Sequence, residues 1–248
     1  MNETQKKGPS RLRRLYIAKL IGRCFILLFC AYLCWKKIEA FQVIYDFFGK
    51  FSVLHLLWGI WMLDMVFQLI PVKDKIALGS QKLFEHRFRP IRNAVNYQKL
   101  RNYIISTTKS AYQIFISWAL LIIALGALYF QGIIGDVALV MTCVVFYVCD
   151  LICVLIWCPF RLVMRNKCCT TCRIFNWDHL MMFTPLLYVR GFYARSLLLM
   201  SIAVWLVWEI SVMIYPERFW EFSNEALKCS CCTDKLCTQY CQKLRKKK

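Results

Sequence analysis

The chain is short of acid. Only 14 Asp and Glu stand against 33 Lys and Arg, a formal net charge of +19. It is equally short of the residues that punctuate a soluble fold, with 9 Gly and 6 Pro, and it holds just 3 His. The missing motifs narrow its chemistry. Without a glycine-rich phosphate loop there is no nucleotide cradle, and without an HExxH run, a Ser-His-Asp order or a paired-carboxylate signature there is no hydrolase reading. The missing motifs lean against an enzyme without closing the question. The basic excess is one mark of nucleic-acid binding, but here the bases fall between apolar runs rather than along one face. The reading is therefore a membrane protein keeping its Lys and Arg in the loops that stay inside, with no nucleic-acid partner.

What the chain has in abundance is apolar surface: 59% of residues are hydrophobic and 16% aromatic, where soluble domains sit at roughly 45–50% apolar. Residues 17–35, 51–70, 111–130, 137–157 and 196–215 each approach the ~20 apolar residues needed to cross ~30 Å of hydrocarbon. Lipid offers no partner to a free amide, so these spans must be helical. The basic N-terminal stretch leads into "CFILLFCAYLCW" and then "KKIEAF". No small-x-small cleavage pattern follows, so the first span is expected to stay. Lys19 and Arg23 lie near its basic end, where long stems can snorkel to the interface.

Five crossings would strand the basic tail, with Arg218, Lys228, Lys235 and the terminal "QKLRKKK", on the side opposite the N-terminus. Counting residues 175–193 as a sixth, weaker span brings that tail back inside. Only Lys36, Lys37, Lys50, Arg190 and Arg195 then remain outside, which satisfies the positive-inside rule better. This span contains Asp178, His179 and Pro185, with both ionisable groups near one end, where their insertion cost is lower. A re-entrant or interfacial segment, leaving five spans, is the alternative.

The expected fold is an all-α polytopic membrane helix bundle of six transmembrane helices, arranged as three hairpins. A basic cytoplasmic N-terminus (1–16) precedes hairpin 1 (17–70). A basic amphipathic loop (71–110), divided at Pro90, lies on the anionic lipids of the inner leaflet. Hairpin 2 (111–157), a Cys-rich loop (158–174), hairpin 3 (175–215) and a Cys-rich basic tail (216–248) follow, with both termini cytoplasmic.

Two sets of residues carry chemistry. The returning spans end alike, in "DMVFQLIPVK", "DLICVLIWCPFR" and "EISVMIYPER": an acid, then a proline that cannot continue the helix, then a base. Asp64, Asp150 and Glu209 should share one layer roughly 10 Å from the cytoplasmic face, joined by Asp178 and His179 from the fifth span. Ionisable groups inside a bilayer face the bundle and pair. The layer is either a site for a small cation or a proton, or a clamp of acids bridged to Arg23, Lys19, His179 or tyrosines. His55 lies at a different depth from His179, which excludes a haem held between them.

The second set is thiol. Of 15 Cys, Cys24, Cys30, Cys34, Cys143, Cys149 and Cys153 fall inside spans and act as small apolar residues. Cys158, Cys168, Cys169 and Cys172 follow the fourth span, and Cys229, Cys231, Cys232, Cys237 and Cys241 lie in the tail. Cys169 with Cys172 and Cys229 with Cys232 are two CxxC pairs, and two such pairs complete a tetrahedral thiolate site for zinc. Nearby Arg165, Lys167, Arg173, Lys228 and Lys235 favour the thiolate form. An iron–sulfur cluster, acylated or free thiols, and disulfides are the competing outcomes. A structural or sensory zinc module leads the functional readings, ahead of a cation or proton transporter and a membrane redox protein. A protein partner or a second copy of the chain is left open.

The run "KCCTTCRIFNWDHLMMFTP", together with "CSCCTDKLCTQYC" in the tail, resembles a group of uncharacterised cysteine-rich multi-pass membrane proteins of low-GC Gram-positive bacteria. The resemblance spans most of the chain. It brings no activity and implies only a plasma-membrane setting.

Overall fold

The computed structural model describes residues 11–70, 82–91, 95–164 and 172–228. Seven α-helices are present among them: α1 (Arg11–Lys36), α2 (Val53–Leu69), α3 (Tyr97–Phe130), α4 (Asp136–Leu155), α5 (Phe160–Met164), α6 (Asp178–Phe183) and α7 (Phe192–Ile214). No strand occurs among the described residues, where the nearest thing is a single bridge between Pro90 and Asn224. Helices α1, α3, α4 and α7 are long and apolar enough to cross a membrane, whereas α2 has 17 residues. Their outward faces are greasy. Phe25, Leu120, Leu199 and Met213 are each more than 60% exposed, a surface suited to lipid and not to water.

The helices begin where side chains can satisfy their free amides. Ser52 caps α2, its hydroxyl accepting from Leu54 N while His55 Nδ1 accepts from Ser52 N at 2.9 Å. The other ring nitrogen, Nε2, stands 2.8 Å from the Phe47 carbonyl. Both nitrogens of His55 are thus spent on the backbone, and the isolated histidine of the sequence is a capping device. Asn96 caps α3 by accepting from Lys99 N.

Taking the end where α1 begins as the lower end, α1 rises and α4 descends against it, Tyr16 packing on Leu151 and Leu155. Helix α3 runs unbroken for 34 residues, about 50 Å, so the boundary read at residue 111 is no break in the helix. At the upper end Phe47, Phe48, Trp58 and Phe192 pack as a ring cluster. At the lower end residues 82–91 join the segment after α7: Glu225 N donates to Arg89 O, Ile91 N to Ser223 O, and Arg218 to Leu83 O. Cys172 shares a small cleft there with Lys82, Val212 and Phe219.

The weakest span is also the least regular. Residues 175–193, expected as one transmembrane helix, are instead a chain of short pieces: a 3₁₀ turn at Ile174–Asn176, six residues of α6, and a 3₁₀ run at Thr184–Tyr188. Pro185 removes an amide donor at this point, and Trp118 Nε1 and Thr184 Oγ1 bond at 2.9 Å beside it. Irregular backbone survives at membrane depth only when protein surrounds it. Here Phe183 and Leu186 are fully buried in the core with Trp61, Leu139, Tyr193 and Trp208. The segment starts beside Glu209, low on α7, and ends beside Gly126 and Tyr129, high on α3. Gly126 is needed for that docking, because a Cβ would collide with the Tyr188 phenol.

Candidate functional site

Asp64, Asp150 and Glu209 each sit five residues before the last residue of their helix. At 1.5 Å per residue that sets all three at one height, about 7–8 Å above the helix ends. Height alone does not bring them together. Asp64 and Asp150 turn toward one group of ionisable residues, and Glu209 toward another.

The first group is organised by Arg23 of α1. One guanidinium donates to Asp150 Oδ2 at 2.7 Å, to Asp64 Oδ2 at 3.3 Å and to the Tyr147 carbonyl at 2.7 Å, with its plane 3.7 Å from the Tyr147 ring centroid. The side chain is 11% exposed. Snorkelling, expected from the sequence, is not what Arg23 does. Its planar fork suits two carboxylates at once.

Asp64 continues the chain: His179 Nε2 stands 3.6 Å from its Oδ2. On the other side of the ring, Nδ1 lies 2.9 Å from Asp178 Oδ1 and 3.0 Å from Gln68 Nε2. Gln68 also reaches Asp178 Oδ2 at 3.4 Å. Asp150, Arg23, Asp64, His179 and Asp178 therefore form one unbroken line of polar contacts drawn from α1, α2, α4 and α6. Three carboxylates contact one arginine and one histidine, with the Lys19 charge also acting on Asp64, so the contacts within the line carry more negative than positive charge.

Glu209 stands apart. Arg173 Nη2 meets its Oε2 at 2.5 Å and Trp177 Nε1 donates to its Oε1 at 2.7 Å. The expected five-member layer is thus two sites at one height. Sequence reading missed Gln68, although it falls four residues after Asp64 and so on the same helical face. Tyr147, three before Asp150, carried the same signal.

An apolar cavity of about 250 Å³ opens beside the line, between α3, α4, α5 and α6. Asp150 and Asp178, the two ends of the line, lie in its wall together with Trp118, Phe146, Phe160 and Phe175. Four thiols also line it: Cys149, Cys153, Cys158 and Cys172. Cys158, just beyond α4, has its thiol drawn down to about 7 by a hydrogen bond from Cys153, then by the Phe160 and Arg161 amides and the Arg161 charge.

Of the expected zinc ligands only Cys172 lies among the described residues, and it is buried. Cys168, Cys169, Cys229, Cys231, Cys232, Cys237 and Cys241 lie outside them. Among the described residues no group of three or more His, Cys, Asp or Glu is arranged to hold a metal ion. Comparison with family models, with curated proteins and with solved structures finds no match for this chain.

Proposed function

We propose that the chain is a six-crossing plasma-membrane protein with both termini cytoplasmic, and that it translocates a small cation or a proton through the line from Asp150 to Asp178. The observation that carries this is the charge deficit of that line. Three carboxylates with two cationic partners, at membrane depth, attract a further positive charge. A histidine between two acids can pass a proton from one ring nitrogen to the other. Residues 174–191 count as a crossing because they run from the lower to the upper end of the bundle, and the bases gathered at the lower end favour a cytoplasmic base. The test is flux into proteoliposomes carrying an internal pH or cation indicator. Wild-type protein should conduct, and Asp64→Asn and Asp150→Asn should each reduce the rate by about tenfold or more. Equal rates in all three would overturn the reading.

A zinc-holding thiolate module at the cytoplasmic base is the second reading, with an iron–sulfur centre as its rival. One observation favours it: Cys172 and residues 216–228, which adjoin the two cysteine-rich stretches, sit at the same end of the bundle. Colourless protein with stoichiometric zinc, purified without chelators, supports it. Brown protein with visible absorbance supports the cluster, and metal-free protein sinks both.

A further inference from the structure

The cavity beside the line asks for an occupant of definite chemistry. Its wall is aromatic and aliphatic, with Trp118, Phe146, Phe160 and Phe175 prominent, and its charged groups are Asp150, Asp178 and, at one side, Arg161. Asp150 Oδ2 is taken by Arg23, and Asp150 also lies in the wall of the cavity. Asp178 uses Oδ1 on His179 and meets Gln68 through Oδ2 only at 3.4 Å. Two carboxylates in an apolar pocket repel anionic headgroups and reject a plain hydrocarbon tail, whose entry would strip water from charges without pairing them. Aromatic faces with an acid beside them are instead the surroundings in which organic ammonium groups bind.

We propose that this cavity binds a lipophilic organic monocation, an aromatic or alkyl ammonium of about ten heavy atoms, with its charge between Asp150 and Asp178 and its apolar body against Phe160 and Trp118. This names the cargo class of the transport reading and rests on it. The ammonium supplies the positive charge that the line lacks, and Arg161 at the side of the pocket disfavours a second charge on the ligand. Entry on the α3–α5 side keeps the cation out of the Arg23 position, so binding leaves the Asp150–Arg23–Asp64 clamp intact.

The experiment uses the full chain in nanodiscs, with benzyltrimethylammonium as the probe and neopentylbenzene, its neutral carbon isostere, as the control. The expected result is saturable binding of the cation, at least tenfold tighter than the isostere. Asp178→Asn should weaken it by roughly tenfold. Val154→Phe, which fills the cavity from α4 while keeping every charged residue, should abolish it while leaving proton flux in place. Equal binding of cation and isostere overturns the proposal in favour of a lipid tail, and cation binding that persists in Val154→Phe overturns it in favour of another site. Proton flux without amine binding likewise sinks the pocket and leaves the transport reading standing. Amine binding with no flux of any kind upholds the pocket and removes transport.

Discussion

At the scale of single residues, Arg23 is the one on which most else depends. Its guanidinium pairs with two carboxylates from different helices, and removing it leaves both acids without that shared partner in a low-dielectric layer. Arg23→Met should lower stability by about 3–5 kcal/mol, read as thermal unfolding in detergent. Arg23→Lys keeps the charge but loses the fork that bridges Asp64 and Asp150, so it should fall between. If Arg23→Met unfolds with the wild type, the clamp has no structural weight. Arg23 also shows what a sequence can convey at this scale. Its place on α1 was plain, and so was the common depth of Asp64 and Asp150, each the fourteenth residue of its span as read at 51–70 and 137–157. The turn of each side chain about its helix was not. Glu209, equivalent by every linear measure, faces Arg173 and Trp177 because α7 presents that side to the segment before α6.

Elements are decided by what surrounds them. Residues 174–188 have a proline, two ionisable groups and no long apolar run, and they stay irregular because α3, α4 and α7 enclose them. Local pattern could place this stretch between two loops but could not fix its backbone, since the enclosure is a property of distant residues. The contact of Gly126 with Tyr188 tests the enclosure directly. Gly126→Val should cost about 1–3 kcal/mol. Pairing it with Tyr188→Ala should recover part of that loss, a coupling that a double-mutant cycle on thermal stability would detect. At the upper end, Asp136 at the start of α4 acts on the Tyr45 hydroxyl and, with burial, lifts the phenol to about 12. A raised folded value means the contact is complete below pH 10 and fades as pH climbs through 12. Tyrosinate absorbance should therefore show a late-titrating fraction that Asp136→Asn reduces.

For the molecule as a whole, the question is which compartment receives each end. Lower-end contacts tie residues 82–91 to residues 216–228 and set Cys172 beside them. If that end is cytoplasmic, an impermeant maleimide added to intact cells will leave Cys237 and Cys241 unmodified until the membrane is opened. Modification before lysis would place the tail outside and dismantle the shared thiolate module. The all-helical membrane character was legible from composition alone, because the bilayer permits so few backbone solutions. The thiolate pairing was legible only as spacing, and spacing does not say which thiols meet.

The buried, broken segment that includes α6 also constrains how the molecule is made. A stretch carrying Asp178 and His179 has little appetite for lipid and no continuous helix to offer the insertion machinery. Gln68 and the walls of α3 and α4 are encoded upstream and have left the ribosome before it emerges, whereas α7 follows it. Biogenesis can then proceed in reading order, each new polar group finding a waiting host and α7 closing over it.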